Sequence, residues 1–150
     1  MKQIVRQLNV YYYGMMTLTL IAAVASYFLV YKGIVIPLDP MSKLGQVLQY
    51  IVIFDALLTI PLGLFLCKKK CGIIRLIEDE QERFAQYKSI ASVRIILVSN
   101  AMILGIVAFY LMGGYQSMLW VAAISAIGWY FTKPTEKKMF LELQANQEDY

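Results

Sequence analysis

The sequence predicts an all-α integral membrane protein: a four-helix bundle of two antiparallel transmembrane hairpins, with a cytoplasmic helical extension between helices two and three. Three observations support this prediction. Hydrophobic residues make up 59% of the 150 residues. They are gathered in four blocks separated by charged segments, whereas soluble domains spread them along periodic faces. Lysine and arginine are distributed very unequally between the two sets of connecting loops.

Four segments are apolar enough to be read as membrane-spanning helices, since about 20 apolar residues cover a hydrocarbon core of about 30 Å. They lie at about residues 10–31, 48–66, 93–112 and 117–131 of a single membrane domain, residues 1–150. The fourth segment is the shortest. Trp120 and Trp129 support it, because aromatic side chains favour the two headgroup levels.

The first segment also carries a signal-peptide pattern. Lys2 and Arg6 precede its apolar run, and the Ala-Val-Ala sequence at residues 23–25 resembles a cleavage site. The apolar run nevertheless continues beyond this site to a spanning length. We therefore expect a retained helix, with cleavage as the alternative.

The basic residues predict the orientation of the spans. Of the 14 lysines and arginines, Lys32 and Lys43 lie on one side and the other 12 on the opposite side. The positive-inside rule then places both termini, the segment 67–92 and the tail 132–150 in the cytoplasm. The expected location is the plasma (bacterial inner) membrane. Because the net charge of +4 comes from residues flanking the spans, the expected partner is the lipid bilayer and not nucleic acid.

The composition argues against an enzyme. The chain has no histidine, the commonest general base and metal ligand, and it contains no P-loop, GxGxxG, GxSxG or HExxH motif. Two thiols alone cannot complete a tetrahedral zinc site. We therefore predict no catalytic, cofactor-binding or metal-binding residue and no cofactor.

One charged residue lies inside an apolar run, IVIFDALLTIPLG, and it defines the candidate intramembrane polar site. Asp55 is followed at intervals of four by Thr59, Gly63, Cys67 and Cys71, a stripe of small or polar side chains that predicts the packing face of the helix. Arg94, at the cytoplasmic end of the third span, is the one basic residue within the spans, and no basic residue lies deeper to neutralise Asp55. We therefore expect Asp55 to be protonated and hydrogen-bonded at neutral pH. The candidate polar site comprises Asp55, Thr59, Asn100 and Ser125.

Two interpretations of this polar site stay open. The favoured one is a neutral hydrogen bond that fixes the register of the helices. The alternative is a carboxyl group that binds a proton or cation on a transport path, since intramembrane carboxylates often mark such paths.

The sequence CKKKC places Cys67 and Cys71 on one helical face, close enough for a shared metal or a disulfide. The favoured interpretation is reduced cytoplasmic thiols beside three lysines that face anionic lipid. In the C-terminal tail, Met139, Phe140 and Leu143 predict a short interfacial helix.

These observations predict a small non-enzymatic membrane protein, a scaffold or accessory subunit of a membrane complex. Its partner is expected to be another membrane protein or a second copy of the chain. The alternative function is a small proton- or cation-coupled transporter or channel subunit that uses Asp55.

Overall fold

The computed structural model describes residues 2–34 and 36–144, and these residues are 84% helix with no strand. The last residues of the predicted tail, 145–150, lie outside the described part. The five helices are α1 Lys2–Tyr31, α2 Lys43–Ile74, α3 Glu80–Leu111, α4 Gln116–Phe131 and α5 Glu136–Gln144. Helices α1, α2 and α3 are each long and apolar enough to cross a membrane. The 16 residues of α4 cover about 24 Å at a rise of 1.5 Å per residue.

Helix α3 is the centre of the molecule. Helices α1, α2 and α4 all pack against it, and α2 also contacts α4. Of the two predicted hairpins, the structure contains the one formed by α3 and α4. The predicted hairpin of α1 and α2 is wrong, because within the described residues these two helices do not pack on each other. The connection from α1 to α2 passes over the end of α3, where the Leu38 amide donates to the Leu111 carbonyl at 2.9 Å. This crossing leads α2 away from α1 and leaves α3 between them.

Glycines allow the helices to approach closely. A Cβ atom on Gly105 of α3 would lie 2.9 Å from the backbone nitrogen of Ala122 in α4. A Cβ atom on Gly63 of α2 would lie 3.3 Å from Val98 of α3. Small residues at such crossings bring backbones into van der Waals contact, the main attraction between helices in lipid.

The predicted packing stripe of α2 is buried along its second half. Gly63, Cys67 and Cys71 are buried, whereas Asp55 and Thr59 are half-buried. The C-terminal half of the stripe is therefore the part that packs against neighbouring helices.

The connection between α2 and α3 interrupts the predicted helical extension. Residues 75–79 leave the helix, and α3 begins at Glu80 and runs without a break to Leu111. Asp79 marks the start of α3, because its carboxylate accepts from the Gln81 amide at 3.0 Å and so caps the first turn of that helix.

Two clusters of buried side chains lie at opposite ends of the bundle. We call the end where α1 begins and α2 turns into α3 the basic end, because Lys68, Lys69 and Lys70 lie there. Its core draws on α1, α2, α3 and α5, and includes Leu8, Cys67, Tyr87, Ile95 and Met139. The core of the other end includes Val52, Ala108, Met112 and Met118.

Helix α5 docks on the basic end through its apolar face. Met139 and Leu143 are buried in that core, whereas Phe140, the third residue of the predicted apolar face, is exposed. The tail helix therefore packs against the protein through two of the three predicted residues.

Candidate functional site

The four predicted intramembrane polar residues form no connected network. The Thr59 hydroxyl donates to the backbone carbonyl of Asp55 at 2.7 Å, and the Ser125 hydroxyl donates to the carbonyl of Val121 at 2.8 Å. Asn100 is exposed on α3. Within the described residues, no hydrogen bond joins two side chains of this set, and Asp55 Oδ2 is buried without a hydrogen-bond partner.

A different set of polar side chains comes together at the basic end. Arg94 of α3 donates from Nη1 to Glu142 Oε1 of α5 at 2.9 Å. The Arg94 side chain is only 4% exposed and that of Glu142 is 22% exposed. A buried ion pair of this kind loses much hydration, so it needs further hydrogen bonds around it.

Glu142 accepts two further hydrogen bonds, one at its second carboxylate oxygen and one at its backbone carbonyl. Tyr87 donates its hydroxyl to Glu142 Oε2 at 2.5 Å, and Arg75 donates from Nε to the Glu142 carbonyl at 2.8 Å. Both carboxylate oxygens therefore have donors. Together α3 and the α2–α3 connection hold Glu142 and, through it, α5.

The same guanidinium reaches the two thiols. Arg94 Nη1 donates to Cys67 Sγ at 3.1 Å, and Cys67 Sγ lies 3.6 Å from Cys71 Sγ. Both cysteines are buried near the end of α2. We call Arg94, Glu142, Tyr87, Cys67 and Cys71 the Arg94 cluster. It contains the thiol pair predicted from the sequence, together with an ion pair and a tyrosine that are not among the predicted site residues.

A second cation lies beside this cluster. Burial lowers the pKa of Lys138, and the nearby Arg94 charge lowers it further. Lys138 donates from Nζ to the Phe131 carbonyl at the end of α4, where helix carbonyls lack intrahelical partners. Helix α5 is thereby tied to α4 as well as to α3.

Glu142 is not among the site residues predicted from the sequence, but one feature of the sequence indicates it. Glu142 lies three residues after Met139 and directly before Leu143, so it borders the apolar face of a short amphipathic helix. A carboxylate beside a face that becomes buried requires a cationic or hydrogen-bonding partner.

The Arg94 cluster also contains a set of metal-ligand atoms. Cys67 Sγ, Cys71 Sγ and a carboxylate oxygen of Glu142 all lie within 4.8 Å of one another. A cavity of about 120 Å³ reaches Cys67, one of these three residues, and its lining also includes Arg94 and Lys70. Thiolate and carboxylate donors are the protein ligands of zinc and related cations.

No family model, curated protein or solved structure matches this chain. Function is therefore inferred from the residues and contacts of this chain.

Proposed function

We propose that this chain is a non-enzymatic integral membrane protein that acts as a scaffold or accessory subunit of a membrane complex. In this proposal α1 to α4 form a four-helix membrane bundle in the plasma (bacterial inner) membrane. The length and apolarity of α1, α2 and α3 support it. The basic end, with both termini, faces the cytoplasm, a choice supported by the uneven distribution of lysine and arginine.

The short connection from α3 to α4 supports a fourth span. Gly113 and Gly114 have φ values of 65° and 91°, a left-handed conformation that permits a tight turn. The turn brings α4 back along α3, where Gly105 and Ala122 are in close contact. A helix held antiparallel to a membrane-spanning neighbour at this distance shares the hydrocarbon region with it.

The observation that carries the scaffold function is the exposure of Asn100. Val93, Ile96 and Asn100 recur at helical spacing along α3 and are all exposed, so α1, α2 and α4 leave this face uncovered. Asn100 lies about 10 Å inside the expected span, counted from residue 93. Hydrocarbon offers no hydrogen bond to its amide, whereas a polar group on another membrane helix does.

Photo-crosslinking in native membranes tests this assembly. A photoreactive amino acid in place of Ile96 is expected to yield a covalent product with another membrane protein. The mass of this product shows whether the partner is a different protein or a second copy of the chain. Asn100→Leu is expected to reduce the yield about fivefold, because an interhelical hydrogen bond contributes about 1 kcal/mol.

The matched control places the photoreactive amino acid at Val24, an exposed position on α1. Any product formed there should not depend on Asn100. If the Ile96 position gives no protein product, or if Asn100→Leu leaves the yield unchanged, the scaffold proposal loses its support.

Asp55 supports a second candidate function, a proton- or cation-coupled transporter or channel subunit. Its Oδ2 is buried without a partner among the described residues, as a carboxyl that takes up a proton or cation during transport requires. Under this candidate, purified protein in vesicles conducts protons or cations, and Asp55→Asn abolishes the flux. Asp39→Asn, in the exposed α1–α2 connection, serves as the control. An inactive wild type, or equal flux in wild type and Asp55→Asn, excludes transport through Asp55.

A further inference from the structure

The two thiols of the Arg94 cluster are spaced as ligands of one metal ion. Their sulfur atoms lie 3.6 Å apart. Two thiolates bound to one tetrahedral zinc at about 2.3 Å each have sulfurs about 3.8 Å apart. A shared cation therefore requires only a small adjustment of either side chain.

A disulfide fits the same pair less well. Helical residues four apart have Cβ atoms about 5–6 Å apart. A disulfide requires Cβ atoms about 3.5–4.5 Å apart. Joining Cys67 to Cys71 would therefore distort the end of α2, whereas a bridging cation leaves the helix intact.

Glu142 supplies a third ligand from another helix. Its carboxylate lies within 4.8 Å of both sulfurs, and its two oxygens are fixed by Arg94 and Tyr87. Metal-binding side chains are commonly oriented by such outer hydrogen bonds. Each carboxylate oxygen can accept more than one interaction, so these hydrogen bonds leave a lone pair for a metal.

The charges of the cluster balance around a divalent cation. Two thiolates and one carboxylate carry three negative charges, of which a divalent cation neutralises two. Arg94 neutralises the third, and its Nη1 already donates to both Cys67 Sγ and Glu142 Oε1. The guanidinium therefore acts as an outer hydrogen-bond donor to the ligands and offsets their remaining negative charge, and Lys138 lies beside the cluster as a further cation.

We propose that Cys67, Cys71 and Glu142 bind one thiophilic divalent cation of the zinc class at the basic end of the molecule. Three protein ligands leave one position of a tetrahedral ion for water or another small ligand. The adjoining cavity of about 120 Å³, which Cys67 also lines, provides an entry path. The bound ion joins α5 to α2.

Cadmium binding to the full-length, reduced protein in detergent tests this site. Wild type is expected to bind one Cd²⁺ per chain with an ultraviolet thiolate-to-metal charge-transfer band, and an excess of Zn²⁺ should reduce the band by competing for the site. Cys67→Ser and Cys71→Ser should each abolish the band. Glu142→Gln should weaken binding about tenfold or more, whereas Glu136→Gln, an exposed position on the same helix, should not change it.

A measurement on wild type alone tests the proposal even if the variants fail to fold. One equivalent of Cd²⁺ or Zn²⁺ should raise the thermal unfolding temperature of wild type in detergent, because the ion binds the folded state. Absence of the charge-transfer band and of this stabilisation in wild type overturns the proposal. Retention of stoichiometric Cd²⁺ in a folded Cys67→Ser or Cys71→Ser variant also overturns it, as does air oxidation of the pair to a disulfide in the presence of one equivalent of Zn²⁺.

Discussion

Replacing Glu142 by alanine is expected to destabilise the folded protein by about 3 kcal/mol and to release α5 from the bundle. The change leaves the guanidinium of Arg94, whose side chain is only 4% exposed, without its carboxylate. It also removes the acceptor of the Tyr87 hydroxyl. The value lies at the low end for a broken buried ion pair, because Glu142 itself is 22% exposed.

Thermal unfolding in detergent and limited proteolysis measure this effect. Release of α5 should make the connection at residues 132–135 sensitive to protease at temperatures where wild type is resistant. Glu136→Ala, which removes an exposed carboxylate from the same helix, should behave as wild type. The double variant Arg94→Met/Glu142→Leu should recover most of the loss, since apolar pairs often replace buried ion pairs. If Glu142→Ala is as stable and as protease-resistant as wild type, the ion pair does not hold α5.

Replacing Gly105 by leucine is expected to force α3 and α4 apart, with a destabilisation of about 3 kcal/mol or more. The first side-chain atom alone would lie 2.9 Å from the Ala122 nitrogen and 3.0 Å from its Cα. Both of these are backbone atoms, so they cannot move aside as the end of a flexible side chain would. Relief of the clash therefore requires a shift of the whole helix.

Thermal unfolding of Gly105→Leu beside Gly14→Leu gives the matched comparison. A Cβ atom on Gly14 of α1 meets no other atom within 4 Å. Gly14→Leu should therefore be neutral or slightly stabilising, because glycine is a poor helix former. Equal stabilities of the two variants would mean that the contact between Gly105 and Ala122 does not hold α4 on α3.

The long apolar helices were predictable because their signal is local. A run of apolar residues marks the candidate spans in α1, α2 and α3 without reference to any other part of the chain. The packing partners were less predictable. Leu38, in the connection between α1 and α2, donates a backbone hydrogen bond to Leu111 at the end of α3. This contact between residues distant in sequence accompanies the separation of α1 from α2.

The Arg94 cluster shows the same limit at the level of single residues. Arg94 and Glu142 are far apart in sequence, and locally Arg94 is one of the 12 basic residues that predict the orientation of the spans. The sequence predicts Trp129 at a headgroup level, whereas in the structure it is half-buried and stacks on Tyr12 with ring centroids 4.1 Å apart. The sequence around each of these residues already accounts for its type. Their contacts with distant residues are therefore visible only in the folded structure.

The length of α4 has a consequence for the surrounding lipid. In the proposed topology, the 16 residues of α4 cover about 24 Å, whereas an average hydrocarbon core is about 30 Å thick. Helices α1 and α2 exceed that thickness. Each Å of hydrophobic mismatch costs a fraction of a kcal/mol, and thinning of the adjacent bilayer is one way to accommodate a short helix. In that topology we therefore expect a thinner bilayer beside α4 than beside α1, and a preference of the protein for thin membrane regions on its α4 side.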